Sequence, residues 1–188
     1  MTSKIGSDLL SDMVEFKIFA AKKHLSNLQE IRLERQHTQG IDPVIQREME
    51  IDCFLAQILG TLDSLLMVIN TRLDLGIASE RVDLATIQSA LNARTKNISL
   101  LTDMHQASEY NEWLWVLKEF RNLTMQRPSK DVMYFLFGDA RPTKGYQNDT
   151  IRSSDDFVNK NLIRYFQQSL KQVLELVNSI RMKEPMLK

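Results

Sequence analysis

Residues 51–75, IDCFLAQILGTLDSLLMVINTRLDL, decide the fold. Ile51, Leu55, Ile58, Leu62, Leu65, Ile69 and Leu73 recur at spacings of 4, 3, 4, 3, 4 and 4. That is the period of one helical face, and no other stretch of the chain is as regular. It predicts a core helix, entered at Asp42-Pro43 and left near Leu75. Asp42 suits an N-cap and Pro43 the first turn, where a missing N–H costs nothing. Gly76 ends the helix. Gly60 interrupts it at a cost of about 1 kcal/mol against alanine. Close approach of another helix is one reading of Gly60, and no special role is the other. Asp63 sits beside the stripe, as a solvent-edge carboxylate or as the partner of a half-buried cation such as Arg121.

Upstream, a first helix is expected from about Ser7 to about His37. Val14, Ile18, Ala21, Leu25 and Leu28 form its stripe, widened by Leu10, Phe16 and Phe19. Its far end, Gln29 to Gln39, is polar and charged. At 1.5 Å per residue such a helix spans ~45 Å, more than a compact domain of this size needs. Helices that overshoot their own core often pack on a second subunit.

Downstream, Ser79 to Asp83 carry cap signals for a short helix with Leu84, Ile87, Ala90 and Leu91 inward. Ile98, Leu100 and Leu101 begin another apolar segment, with His105 on its polar continuation. Ser108 is the expected cap of the next helix, with Glu109 and Glu112 in its first turn. Trp113, Val116, Leu117, Phe120 and Leu123 then face the core. Trp115 points away, either as a half-exposed ring over aliphatic surface or as a dimer contact. Pro128 ends this helix. Residues 128–155 read as an irregular loop or flap, whose run Val132 to Phe137 is a short strand or a cover on the core. A last helix begins near Ser154, with Val158, Leu162, Phe166, Leu170, Val173, Val177 and Ile180 inward. The expected fold is therefore all-α: an antiparallel bundle of four to five helices in one domain, 1–188, with a long irregular loop before the last helix.

Composition narrows the function classes. The 188 residues are 43% apolar, enough for a real core, and carry only six glycines and four prolines, which predicts few, long elements. Lys+Arg and Asp+Glu are 24 each, so a general polyanion binder is not expected. Cys53 is the one cysteine and reads as inert packing in a helix; no intrachain disulfide can form, so a reducing, cytoplasmic setting is expected. No signal peptide and no uncharged run of the ~20 residues needed to span a bilayer is seen, so no membrane partner is expected. His24, His37 and His105 lie apart from one another and from Cys53, so neither a metal nor a cofactor is expected.

One stretch suggests chemistry. In Arg121-Asn122-Leu123-Thr124-Met125-Gln126-Arg127 an arginine shares the helix side of Leu114 and Leu117. Its stem can lie on apolar surface while the guanidinium reaches a polar pocket. If the helix ends near Gln126, that amide can swing back, so that Arg121, Asn122 and Gln126 line one concave edge. Between Arg121 and Arg152 six cations, including Arg127 and Lys130, face three anions. A locally basic groove favours phosphate-bearing ligands, with Arg121, Arg127 and Lys130 as the phosphate contacts. The plainer reading pairs Arg121 with a core-edge carboxylate and leaves the loop charges solvated.

Arg121-Asn122, with Gln126 before the helix end, resembles the motif of the HEPN superfamily: an arginine, often an asparagine, four to six residues, then histidine. The stretch from Cys53-Phe54-Leu55 through Asp63-Ser64-Leu65-Leu66 to Asn70 is similar to that family's central helix. The resemblance implies a helical bundle paired as a homodimer, found in toxin, defence and RNA-processing systems, whose active members are metal-independent endoribonucleases. It gives Arg121 the role of stabilising phosphorane charge and Asn122 that of orienting. Gln126 stands where the histidine belongs, and an amide cannot shuttle a proton. The expectation is thus a degenerate member that binds RNA or nucleotide phosphate with weak or no nuclease activity. The alternatives are an active ribonuclease and an interaction module that binds a cognate protein without nucleic acid.

Overall fold

The computed structural model describes residues 2–33, 42–94, 99–129, 131–132 and 149–187, with side chains over the same spans except 2–12, 32–33, 149–160 and 185. The chain is all-α. Among the described residues six helices succeed one another: α1 (Thr2–Leu33), α2 (Pro43–Arg72), α3 (Leu84–Ala93), α4 (Thr102–Ala107), α5 (Trp113–Thr124) and α6 (Asp149–Lys183). Short 3₁₀ turns lie at Ser79–Arg81 and Pro185–Leu187, and no strand occurs among the described residues. Among the described residues the count exceeds the expected four to five because Thr102–Ala107, within the single apolar segment expected there, forms a separate short helix.

Helix α2 starts and stops where its chemistry dictates. The Asp42 carboxylate accepts from Val44 N–H at 2.8 Å, and Pro43 occupies the first turn. At the other end Asp74 and Gly76 take φ of 50° and 73°, which reverses the chain. Buried Asn70 stitches the turn: its amide donates to the Ile77 carbonyl at 2.7 Å and accepts from Ile77 N–H at 3.1 Å. Arg94 donates to the carbonyls of Leu73 and Asp74 at 3.0 and 2.6 Å, satisfying helix-end acceptors. Asp83 caps α3 by accepting from Thr86 N–H at 2.7 Å.

The periodic stripes predicted the core well. Val14, Ile18, Ala21, Leu25 and Leu28 of α1 are buried, as are Ile51, Leu55, Ile58, Leu62, Leu65 and Ile69 of α2. Three rings join α2, α5 and α6. Phe54 and Phe166 lie 4.6 Å apart, Phe120 and Phe166 meet edge-on at 5.5 Å, and all three are fully buried. By length and apolar composition α2 is long enough to cross a bilayer, although Asp52 and Asp63 interrupt it, so it holds no uncharged run of ~20 residues. Its apolar face is taken up by the core instead.

Several expectations are corrected. Phe16 and Phe19 do not widen the α1 stripe; they are exposed. Cys53 is exposed rather than packed. Partial burial, then Glu50 and Asp52, pushes the thiol upward, away from the reactive thiolate form. Ser108 does not cap α5; it closes α4, and α5 begins at Glu112 without a side-chain cap. His24 Nδ1, for which the sequence suggested no neighbour, sits 2.6 Å from the Glu50 carboxylate, which also accepts from Asn27 at 3.0 Å. The last helix begins at Asp149 rather than near Ser154. Of the run Val132 to Phe137, only Val132 is described: it is buried in a helical turn whose N–H groups reach the Pro128 carbonyl. Lys130, His37 and most of the expected flap fall outside the described residues.

Phe166→Ala removes the ring shared by α2 and α5 and is expected to cost about 3–5 kcal/mol in urea unfolding, whereas exposed Phe19→Ala should stay within about 0.5 kcal/mol. Equal costs would contradict this core.

Candidate functional site

Helix α5 is oriented by what it buries. Leu114, Leu117 and Phe120 are buried, so the inward face lies on the Leu114–Leu117 side of the expected stripe, and Trp113 and Leu123 only flank it. Arg121 follows Leu114 and Leu117 in the same helical register and emerges at the edge of that face, where it is exposed. Asn122 lies one step around. The chain then returns toward the start of α2: Glu48 accepts from Ser129 N–H at 3.0 Å and from its hydroxyl at 2.8 Å. Arg121 lies near Asp52 and Asp63, while Ser129 meets Glu48, so α5 and the turn after it run opposite to α2.

Between α2 and α5, with the start of α3 alongside, lies a groove of about 500 Å³. Leu59, Leu62, Leu66, Leu84, Met104 and Leu114 supply its apolar walls, and Asp63, Asp83, Lys118, Arg121 and Asn122 its polar rim. That size suits a small ligand or one unit of a larger one.

The rim charges are unequal in what they are free to do. The Asp83 carboxylate is engaged with the N-terminus of α3, which holds its carboxyl below the usual range. Asp63 stands over apolar side chains, and burial pushes its carboxyl up, opposed by Lys118, then Lys17 from α1, then Arg121. Asp52 is raised by burial and by Glu48, against the pull of Arg121. Among the described residues no carboxylate comes within ion-pair distance of Arg121 or Lys118. Asp63 is therefore a neighbour of Arg121 but not its direct partner. Gly60 makes room for Lys17, whose Nζ would lie 3.0 Å from an added Cβ, so the close approach is by a side chain and not by a helix.

Of the residues expected at the site, the groove brings together Arg121 and Asn122. Gln126 does not line it. The helix ends at Thr124, and Gln126 and Arg127 form an exposed turn whose N–H groups both donate to the Leu123 carbonyl at 3.0 Å. His105 does not line the groove either, so no imidazole there replaces the missing histidine. Trp115 is half-buried and packs on the exposed Tyr110 ring at 4.8 Å. Lys118 and Lys17 were missed. Lys118 follows Leu114 by four residues, a signal available in the sequence, whereas Lys17 joins only through the packing of α1 on α2. Among the described residues no cluster of three or more His, Cys, Asp or Glu could hold a metal ion. A second cavity of about 800 Å³ lies at the far end of α2, lined by residues including Arg72, Asp74, Arg94 and Glu184.

Compared with protein-family models, curated proteins and solved structures, the chain matches none.

Because burial raises the Asp63 carboxyl, the folded chain binds that proton more tightly than the unfolded chain does. Its ionisation therefore costs stability as pH rises from the ordinary carboxylate value through the raised one. Asp63→Asn should gain on the wild type as pH rises above the ordinary carboxylate value of about 4 in chemical denaturation. A difference that is flat, or that shrinks with pH, would contradict the assignment.

Proposed function

We propose that the Arg121 groove binds the phosphate of a nucleotide or of a short RNA segment, and does not cleave it. The observation that carries this reading is the unequal rim. Lys118 and Arg121 stand over an apolar floor, one rim carboxylate is committed to a helix N-terminus, and the other is disfavoured as an anion. A ligand oxyanion would take up the two cations, since an arginine fork suits phosphate. The leucines and Met104 would receive a base or a sugar face, and Asn122 offers a donor and an acceptor to its edge. Cleavage through a ribose hydroxyl needs a proton shuttle, and no histidine lines the groove to supply one. Under this reading the protein is a degenerate HEPN-like chain that keeps the arginine and asparagine and has lost the acid–base residue.

Fluorescence anisotropy with labelled single-stranded RNA tests the binding. Affinity should fall with added salt, and Arg121→Ala or Lys118→Ala should each weaken it about tenfold or more, while Gln126→Ala leaves it unchanged. Unchanged affinity in Arg121→Ala would refute the site. Incubation of structured RNA in EDTA should leave it intact with wild type and with Gln126→His. Cleavage by wild type that Arg121→Ala abolishes would establish a ribonuclease instead.

A further inference from the structure

Three helices end around one cavity. Helix α2 stops at Arg72, α3 at Ala93 and α6 at Lys183, and the space of about 800 Å³ at the far end of α2 is framed by residues at those ends. That volume lies within the range of small-molecule sites. Buried Leu75 and Leu91 and exposed Met186 give it apolar surface. Its charges come from all three helix ends: Arg72 and Asp74 from α2, Arg94 from the cap of α3, and Glu184 after α6. Asp74 is the one that folding does not explain. A helix C-terminus carries partial negative charge, which favours a base there and not an acid. Its φ of 50° is left-handed, where glycine or asparagine is the usual choice. Among the described residues the Asp74 carboxylate makes no hydrogen bond and no ion pair; only its backbone is held, by the Thr71 carbonyl at 3.3 Å and by Arg94 at 2.6 Å. Two of the other charges are fixed in place. The Arg94 guanidinium spans the Leu73 and Asp74 carbonyls, and Glu184 accepts from Met186 N–H at 3.1 Å.

We infer that this cavity binds an aliphatic zwitterion: a carboxylate and an ammonium on an apolar body, as in a leucine-like amino acid or a short apolar peptide. The ammonium is met by Asp74, by Glu184 and by the negative ends of the three helices. The carboxylate is met by Arg94, whose guanidinium plane is already set, with Arg72 beside it. The aliphatic body covers Leu75, Leu91 and Met186. A simple amine would face two arginines, and a simple carboxylate two acids. A zwitterion answers both signs, and the apolar lining asks for its body. A phosphate dianion is opposed here by the same acids and helix ends, which sets this cavity apart from the Arg121 groove. The two share no lining residue among those described, so this inference does not depend on what the groove binds.

Isothermal titration calorimetry of the whole chain tests the site, with backbone amide shifts to locate it. L-leucine or L-leucyl-L-leucine should bind, and the tighter of the two decides between a free amino acid and a peptide. N-acetyl-L-leucine, which lacks the ammonium, and L-leucinamide, which lacks the carboxylate, should each bind about tenfold or more weakly, and glycine should not bind. Asp74→Asn removes the charge with a residue that suits the left-handed turn. It should weaken the zwitterion about tenfold or more, leave the affinity for N-acetyl-L-leucine unchanged, and keep the urea midpoint. Shifts should gather at 72–75, 91–94 and 184–186. No binding by either zwitterion, equal affinity for the acetylated or amidated compound, shifts gathered at the Arg121 groove, or wild-type affinity in Asp74→Asn would overturn the inference.

Discussion

Phe166 touches Phe54 of α2 and Phe120 of α5 at once, and much of the molecule follows from that contact. Three buried rings from three helices leave little freedom of rotation, because interiors packed at crystal density resist small displacements. With Phe120 pinned inward, the residue after it must leave the core along its edge. Arg121 is therefore presented at a groove rim by packing, not by a polar partner. The same pinning directs α5 back along α2, so that Ser129 arrives at Glu48 and the chain is anchored after Pro128.

The electrostatics of the groove rest on that geometry. Three cations from two helices surround Asp63, while its own position on α2 denies it full solvation. On the proposed reading, Lys118 and Arg121, with no carboxylate at ion-pair distance among the described residues, are open to an external anion. The groove lining carries two acids, Asp63 and Asp83, and two bases, Lys118 and Arg121, so what sets it apart is that Asp83 is engaged by the N-terminus of α3. On the proposed reading binding would be selective, because a small groove with two cations is unlike the extended basic face of a general polyanion binder.

Much of the fold was legible because core burial imposes a 3.6-residue period, and the buried residues of α1 and α2 match their predicted stripes. Periodicity could not say on which side of α1 Phe16 and Phe19 fall, since two stripes on one helix share one period and only the neighbours decide which is covered. Ser108 was misread because a serine followed by acids marks a helix start as readily as an end. Arg121 and Asn122 were legible as a pair by their place at the end of a core helix. Gln126 was not: where a helix stops within a turn is a matter of local hydrogen bonding, and two residues were enough to carry the amide away from the groove. The Lys17 and Asp63 relation is a cross-helix contact of residues 46 apart in sequence, which no local pattern encodes.

The central claim is that α2 and α5 form a phosphate-recognising groove. Titrating the isotope-labelled protein with a nucleoside 5′-monophosphate and following its backbone amide resonances tests this most directly. The account predicts shifts concentrated at 59–66 of α2 and 114–122 of α5, the segments that line the groove. No shifts at millimolar nucleotide, or shifts gathered instead around Arg72 and Arg94 at the far end of α2, would contradict it.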